Sequence, residues 1–126
     1  LVLTFGEREN IEVTVSFNQI PGQLPKAIAT CLYRVAQESL RNVAKHSKAS
    51  EAAVVLSGSR LGLGLSVRDT GKGFAPDRTT APAHQGLGLR SMQERLRLVN
   101  GVLNVQSRPG HGAKVCAWIP FSEGGS

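Results

Sequence analysis

Alternating hydrophobic and polar residues predict most of the strands of this chain. From Ile11 to Phe17 every second residue is apolar, which is typical of a strand with one buried face. Residues 1–9 fit either the end of a helix or an edge strand. The same pattern, with turn residues between the segments, predicts four further strands at Ala52–Leu56, Leu61–Val67, Val102–Gln106 and Ala113–Ile119.

Two other segments repeat their apolar residues with the period of an amphipathic helix. The first runs from Lys26 to about Lys48, and the second runs from Leu87 to Asn100 with Gly101 as its C-terminal stop. The order of the elements predicts an α+β fold, a two-layer α/β sandwich whose mixed sheet is covered on one face by helices. The inward-facing residues are expected to be Ile28, Leu32, Val35, Ala36, Leu40 and Val43 in the first helix, and Leu89, Met92, Leu96 and Val99 in the second.

Length and composition indicate a single globular domain over residues 1–126, with 121–126 as a flexible tail. The first residue is Leu1 rather than Met, so we expect the chain to be the C-terminal part of a longer protein. No apolar run approaches the length that spans a bilayer. Cys31 and Cys116 are far apart and lie in apolar patterns, which favours reduced thiols and a cytoplasmic location.

The net charge of +6 and the pI near 10.0 narrow the choice of partners. A basic domain can bind nucleic acid, a membrane surface or a polyanionic small molecule. The few aromatic residues form no basic-aromatic stripe on which bases could stack, which argues against nucleic acid. A compact phosphate ligand or an acidic partner is the better prediction, with plain solvated charge as the alternative.

Three polar residues of the first predicted helix form a strip beside its apolar stripe. At about 100° per residue, Glu38, Asn42 and Lys45 fall on one narrow line. An amide oxygen is a suitable Mg²⁺ ligand and an ammonium group offsets phosphate charge, so the strip suits a site for Mg²⁺ and phosphates. The alternative is a set of ordinary contacts on a helix surface.

Two glycine-rich segments lie at the two ends of the region between the predicted strand Leu61–Val67 and the second helix. Asp69–Phe74 (DTGKGF) follows a strand, where an Asp can accept a hydrogen bond from an amine such as that of adenine. Gly86–Leu89 (GLGL) opens the second helix, where free N–H groups can bind phosphate. Each segment alone also fits a plain turn, and neither contains the pattern of a P-loop.

Together and in this order, the three elements resemble the ATP-binding domain of sensor histidine kinases, within the GHKL superfamily. Glu38–His46 (ESLRNVAKH) resembles the N-box, Asp69–Phe74 the first glycine box and Gly86–Leu89 the second. The segments Leu32–Glu38 and Gly88–Arg95 are similar to the nitrate/nitrite-sensor-like subclass, whose members pair with LuxR-type response regulators. The resemblance implies the Bergerat fold of histidine-kinase ATPase domains, with ATP and Mg²⁺ as cofactors.

The resemblance implies a role for each polar residue of the N-box. Asn42 would coordinate Mg²⁺ between the phosphates, while Lys45 and His46 would contact phosphate. Glu38 matches the position that activates water in ATP-hydrolysing relatives. Because hydrolysis is wasteful in a kinase, the same residue could instead orient the Mg²⁺ shell.

The glycine boxes also receive roles from the resemblance. Asp69 would bind the adenine amine, and Ala75–Gln85 would form the ATP lid, which nucleotide would order. The family usually carries a Thr near position 113 that supports this Asp, and the loss of its hydroxyl in Ala113 is worth about 1 kcal/mol of ATP affinity. The other implied nucleotide-binding residues are Gly71, Lys72, Gly73, Gly86, Leu87, Gly88 and Leu89.

The implied activity is transfer of the ATP γ-phosphoryl group to a histidine. His46, His84 and His111 are followed by residues that do not match a phosphoacceptor motif. We therefore expect the phosphoacceptor and dimerisation helices to precede this chain in a homodimeric kinase that signals to a LuxR-type response regulator. Contact of this domain with nucleic acid or membrane is not expected. The alternative within the superfamily is an anti-sigma-factor-type serine kinase.

Overall fold

One mixed sheet and two α-helices make up the residues described by the computed structural model, which are 2–5, 11–47, 51–69, 88–107 and 112–121. The first helix continues into a π-helical turn at Val43–Ser47. Residues 1–9 were predicted to be either the end of a helix or an edge strand, and the described part, Val2–Phe5, is an edge strand. The elements are β1 Val2–Phe5, β2 Ile11–Asn18, α1 Lys26–Asn42, β3 Glu51–Gly58, β4 Gly62–Asp69, α2 Leu89–Arg97, β5 Val102–Ser107 and β6 Ala113–Pro120.

The strand order in the sheet is β1-β2-β3-β4-β6-β5. Only β2 and β3 are parallel among the pairs of the described strands, and the other neighbours are antiparallel. Because α1 connects two parallel strands, it runs back along the sheet from the end of β2 to the start of β3. The C-terminal end of α1 therefore lies at the end of the sheet where β4 finishes and β6 begins, which we call the lower end.

The two helices cover one face of the sheet, as predicted. Helix α1 packs across β4 and β6, and α2 packs against β5 and beside α1. The core between the layers includes Val13, Val35, Leu63, Val67 and Ile119, each at most 2% exposed. On the uncovered face, the indole of Trp118 lies over Gly64, with its Cε3 atom 3.5 Å from where a Cβ of that glycine would be. The predicted two-layer α+β architecture is confirmed.

The buried face of α1 is rotated relative to the one predicted. Leu32, Val35 and Val43 are buried as expected, but Ile28, Ala36 and Leu40 are only half-buried. Ala36 and Leu40 are accessible because they line an apolar groove of about 420 Å³ between α1 and strands β2 and β3. The residues buried in their place are Cys31, Ser39 and Asn42.

Helix α2 is shorter than its apolar pattern predicts. It begins at Leu89 and ends at Arg97, and the left-handed residue that follows is Asn100 (φ 61°) rather than Gly101. The Gly101 N–H donates a 2.7 Å hydrogen bond to the Leu96 carbonyl, which satisfies one of the last carbonyl groups of the helix. Gly101 is needed for space, because a Cβ there would lie 2.9 Å from Leu96 Cδ2.

Both cysteines are free thiols, as predicted. Burial raises the pKa of the Cys31 thiol, and the nearby Arg95 guanidinium opposes this rise. Cys116 is half-buried and belongs to the uncovered face of the sheet. Phe121, the first residue of the predicted tail, is half-buried, and its N–H donates a 2.9 Å hydrogen bond to the Leu61 carbonyl. Residues 122–126 lie outside the described residues.

Among the described residues, no helix is both long enough and apolar enough to span a membrane.

Candidate functional site

Three predicted site elements converge at the lower end of the sheet. Asp69 is the last residue of β4, and Asn42 is the last residue of α1. Gly88 immediately precedes α2, which starts beside the C-terminal half of α1. The strand order and the return path of α1 place all three at one edge of the space between the helices and the sheet.

The polar strip of α1 runs from the interior to the surface. Asn42 is 2% exposed and Glu38 is half-buried, whereas Lys45 is exposed. The prediction that all three lie at the border of the apolar stripe is therefore wrong for Asn42, because the buried face of α1 includes it. Lys45 and His46 lie in the π-helical turn, a local widening that is frequent at functional sites.

Asp69 is a buried acid with small neighbours in the adjacent strands. It is 4% exposed and pairs with Ala52 of β3. Arg68 pairs with Lys114 of β6, so the next step of that register brings Ala113 beside Asp69 on the helix-facing side of the sheet. Both neighbouring side chains are single methyl groups. The position that the family usually fills with Thr is thus directly next to the acid.

Gly88 is constrained by both its backbone and its surroundings. Its φ of +70° lies in the left-handed region that favours glycine, and its carbonyl accepts a 3.1 Å hydrogen bond from the Met92 N–H. A Cβ at this position would lie 2.7 Å from Glu38 Oε2. This contact between the N-box and the second glycine box was not predicted, since sequence spacing carries no signal for it. Leu89 is buried behind Gly88.

A second contact between the helices also involves a residue that the sequence analysis did not single out. The Ser39 hydroxyl donates a hydrogen bond to Met92 Sδ at 3.6 Å, and both residues are 1% exposed.

The remaining predicted site residues lie outside the described residues, together with the proposed lid at 75–85. These residues are Gly71, Lys72, Gly73, Gly86 and Leu87.

Comparison with known proteins agrees with this arrangement. The family described as histidine kinase-, DNA gyrase B- and HSP90-like ATPase matches residues 27–123. Sensor histidine kinase MctS of Rhizobium johnstonii is 36% identical over 94% of this chain and 25% of its own length. Sensor histidine kinase LiaS of Bacillus subtilis is 39% identical over 78% of this chain and 26% of its own.

Solved structures show the same fold. The histidine kinase domain of the blue-light activated histidine kinase EL346 from Erythrobacter litoralis superimposes with a TM-score of 0.65 at 26% identity. The match covers 88% of this chain and 56% of that one. The chain spans about a quarter of the length of the two curated relatives. On the strength of the family match, the chain belongs to the histidine kinase-, DNA gyrase B- and HSP90-like ATPase family.

Proposed function

We propose that this chain is the Mg-ATP-binding catalytic part of a two-component sensor histidine kinase. The observation that carries the proposal is the convergence of Asp69, Asn42 and Gly88 at the lower end of the sheet. A buried acid, a buried amide and a helix N-terminus can address the base, the metal and the phosphates of one nucleotide. Two relatives with sensor histidine kinase in their names support this reading.

The buried carboxylate of Asp69 accepts a hydrogen bond from the exocyclic amine of adenine. Its burial makes this contact selective, because a base that places an acceptor there leaves the carboxylate without a donor from the ligand. Ala52 and Ala113 flank this carboxylate in the neighbouring strands. The phosphates extend toward the start of α2, where backbone N–H groups and the helix dipole favour negative charge.

The residues present fit a magnesium ion that is held largely by the nucleotide. Among the described residues, no group of three His, Cys, Asp or Glu side chains is arranged to hold a metal. The Asn42 amide, a hard neutral oxygen donor, would hold the ion together with phosphate oxygens and water. When bound, the ion neutralises charge on the transferring phosphoryl group.

The proposed reaction joins a histidine nitrogen of separate helices in the same kinase to the γ-phosphorus of ATP. The bond from this phosphorus to the β–γ bridging oxygen breaks, ADP leaves, and the imidazole proton passes to solvent. This chain contributes mainly by holding the nucleotide in place. In the nitrate/nitrite-sensor-like subclass that we propose, the phosphoryl group then passes to a LuxR-type response regulator, within a homodimeric kinase whose catalytic domain is cytoplasmic.

The isolated chain tests this function. We expect it to bind Mg-ATP in calorimetric titration and to incorporate no label from γ-labelled ATP, because His46, His84 and His111 do not match the phosphoacceptor motif. The control is titration with Mg-GTP, which should bind more weakly because guanine lacks the amine that Asp69 accepts from. Failure to bind any adenine nucleotide would overturn the proposal. Acid-labile labelling of the chain itself would overturn the assignment of the acceptor to other helices.

Ala113→Thr is expected to strengthen ATP binding. The new hydroxyl would lie beside Asp69 and supply a hydrogen bond on the adenine side, worth about 1 kcal/mol or about 5-fold in Kd. Ala113→Val is the matched control, because it adds nearly the same volume to this buried position without the hydroxyl. Equal ATP affinities of the Thr and Val variants would show that the hydroxyl plays no part.

A further inference from the structure

Glu38 and Gly88 are in direct contact across the two helices. A Cβ atom at Gly88 would lie 2.7 Å from Glu38 Oε2, 2.8 Å from its Cδ and 2.9 Å from its Cγ. Such distances are shorter than any ordinary contact to carbon. While Glu38 keeps this conformation, glycine is therefore the only residue that fits at position 88 without a clash. The glutamate side chain therefore fills the space beside Gly88 that any side chain at this position would need.

The neighbouring residue of α1 extends this contact by one turn of α2. Ser39 Oγ donates to Met92 Sδ at 3.6 Å in the buried interface. Gly88 and Met92 are four residues apart, so they share one face of α2, and the Met92 N–H donates to the Gly88 carbonyl. Two consecutive residues of α1 thus hold the first turn of α2 at two points.

Electrostatics favour the same arrangement. Glu38 places a negative charge at the N-terminal end of α2, where the helix dipole is positive. The Arg41 guanidinium lies 4.0 Å from the other carboxylate oxygen, Oε1, on the partly exposed side. Because this pair is partly exposed and at the limit of ion-pair distance, it adds little to the placement of the carboxylate.

We propose that Glu38 is a positioning residue for Gly88 and the first turn of α2. By holding Gly88 against α1, its side chain sets where the free N–H groups at the start of α2 lie relative to Asn42. This inference rests on the proposed function, because those N–H groups matter as phosphate donors. It differs from the role of a base or of a Mg²⁺-orienting group, since contact with the backbone of Gly88 is what acts.

Comparison of ATP with adenosine, which lacks phosphates, distinguishes a positioning role of Glu38 from the role of a base. Glu38→Ala should weaken ATP binding by about 10-fold, because the phosphate donors lose their fixed position, and should leave adenosine binding unchanged. Glu38→Gln preserves the shape of the side chain and should retain ATP affinity within about 3-fold. Glu94→Ala, which removes an exposed acid of α2 paired with Arg97, is the control and should change neither affinity.

A double-mutant cycle tests the contact itself without nucleotide. Gly88→Ala alone should destabilise the domain in urea unfolding, through both the contact and the positive φ. In the Glu38→Ala background the same change should cost less, because the clash is gone and only the backbone strain remains. Additive effects on unfolding, or Glu38→Ala with unchanged ATP affinity, would overturn the inference. If the wild-type chain bound no adenine nucleotide, the proposed function would fall while the unfolding cycle still decided whether the contact exists.

Discussion

Asp69→Asn is expected to lower ATP affinity by about 10- to 100-fold and to leave the melting temperature nearly unchanged. In the proposed site, the wild-type carboxylate, only 4% exposed, would make a charge-assisted hydrogen bond with the adenine amine. Asn keeps the size of the side chain, and a neutral amide costs less to bury than a carboxylate, so the fold loses little. Calorimetric titration with ATP and thermal unfolding without ligand measure the two effects separately.

The same variant should also lose its preference among bases. An Asn amide can donate to the carbonyl oxygen that guanine carries in place of the adenine amine, so the ratio of GTP to ATP affinity should rise. Arg68→Gln is the matched control, since Arg68 is the preceding residue of β4 and faces the uncovered side of the sheet. A folded Asp69→Asn variant with wild-type ATP affinity would make the buried acid structural.

Asn42→Ala is expected to remove most of the effect of magnesium on nucleotide binding. In the wild-type chain, Mg²⁺ should tighten ATP binding, because the Asn42 amide and the phosphates share the ion. Without this amide, affinities measured with Mg²⁺ and with excess EDTA should converge, which means a loss of about 10- to 100-fold in the Mg²⁺-dependent component. Titration of the variant under both conditions gives the ratio directly.

Ser39→Ala controls for damage to the helix interface in this experiment. Ser39 is as deeply buried as Asn42 on the same face of α1, and its hydroxyl is bonded to Met92. Its removal should lower stability by about 1 kcal/mol while the response to magnesium persists. If Asn42→Ala retained the full magnesium response, the amide would not be a ligand.

Much of the fold follows from the spacing of apolar residues. The bounds of β2 were predicted almost residue for residue from the alternation between Ile11 and Phe17, but Phe17 itself is 64% exposed rather than part of the buried face. The last hairpin and the pair β3–β4 were predicted equally well, with ends that differ by one or two residues. Segment 1–9 remained ambiguous, since pairing of Val2–Phe5 with β2 depends on a tertiary partner rather than on its own pattern.

The rest depends on contacts that spacing does not encode. The period of α1 indicated a buried stripe but not its rotation, because the groove that exposes Leu40 depends on the packing of β2 and β3. Asn100 takes the left-handed conformation that was expected for Gly101. The role of Gly101 is instead to allow the close approach to Leu96 Cδ2. The motif resemblance singled out Glu38 and Gly88 separately, and only the three-dimensional structure shows that they are close together.

The position of Trp118 over Gly64 lets its fluorescence report on unfolding separately from events at the proposed nucleotide site. Trp118 is the only tryptophan of the chain and lies on the uncovered face, toward the end of β6 that is remote from Asp69. Its side chain is packed against the sheet and is 38% exposed, so its emission changes when the sheet opens. The nucleotide site that we propose lies at the other end of the sheet. Intrinsic fluorescence is therefore a built-in reporter of unfolding that the chemistry of the site does not directly perturb.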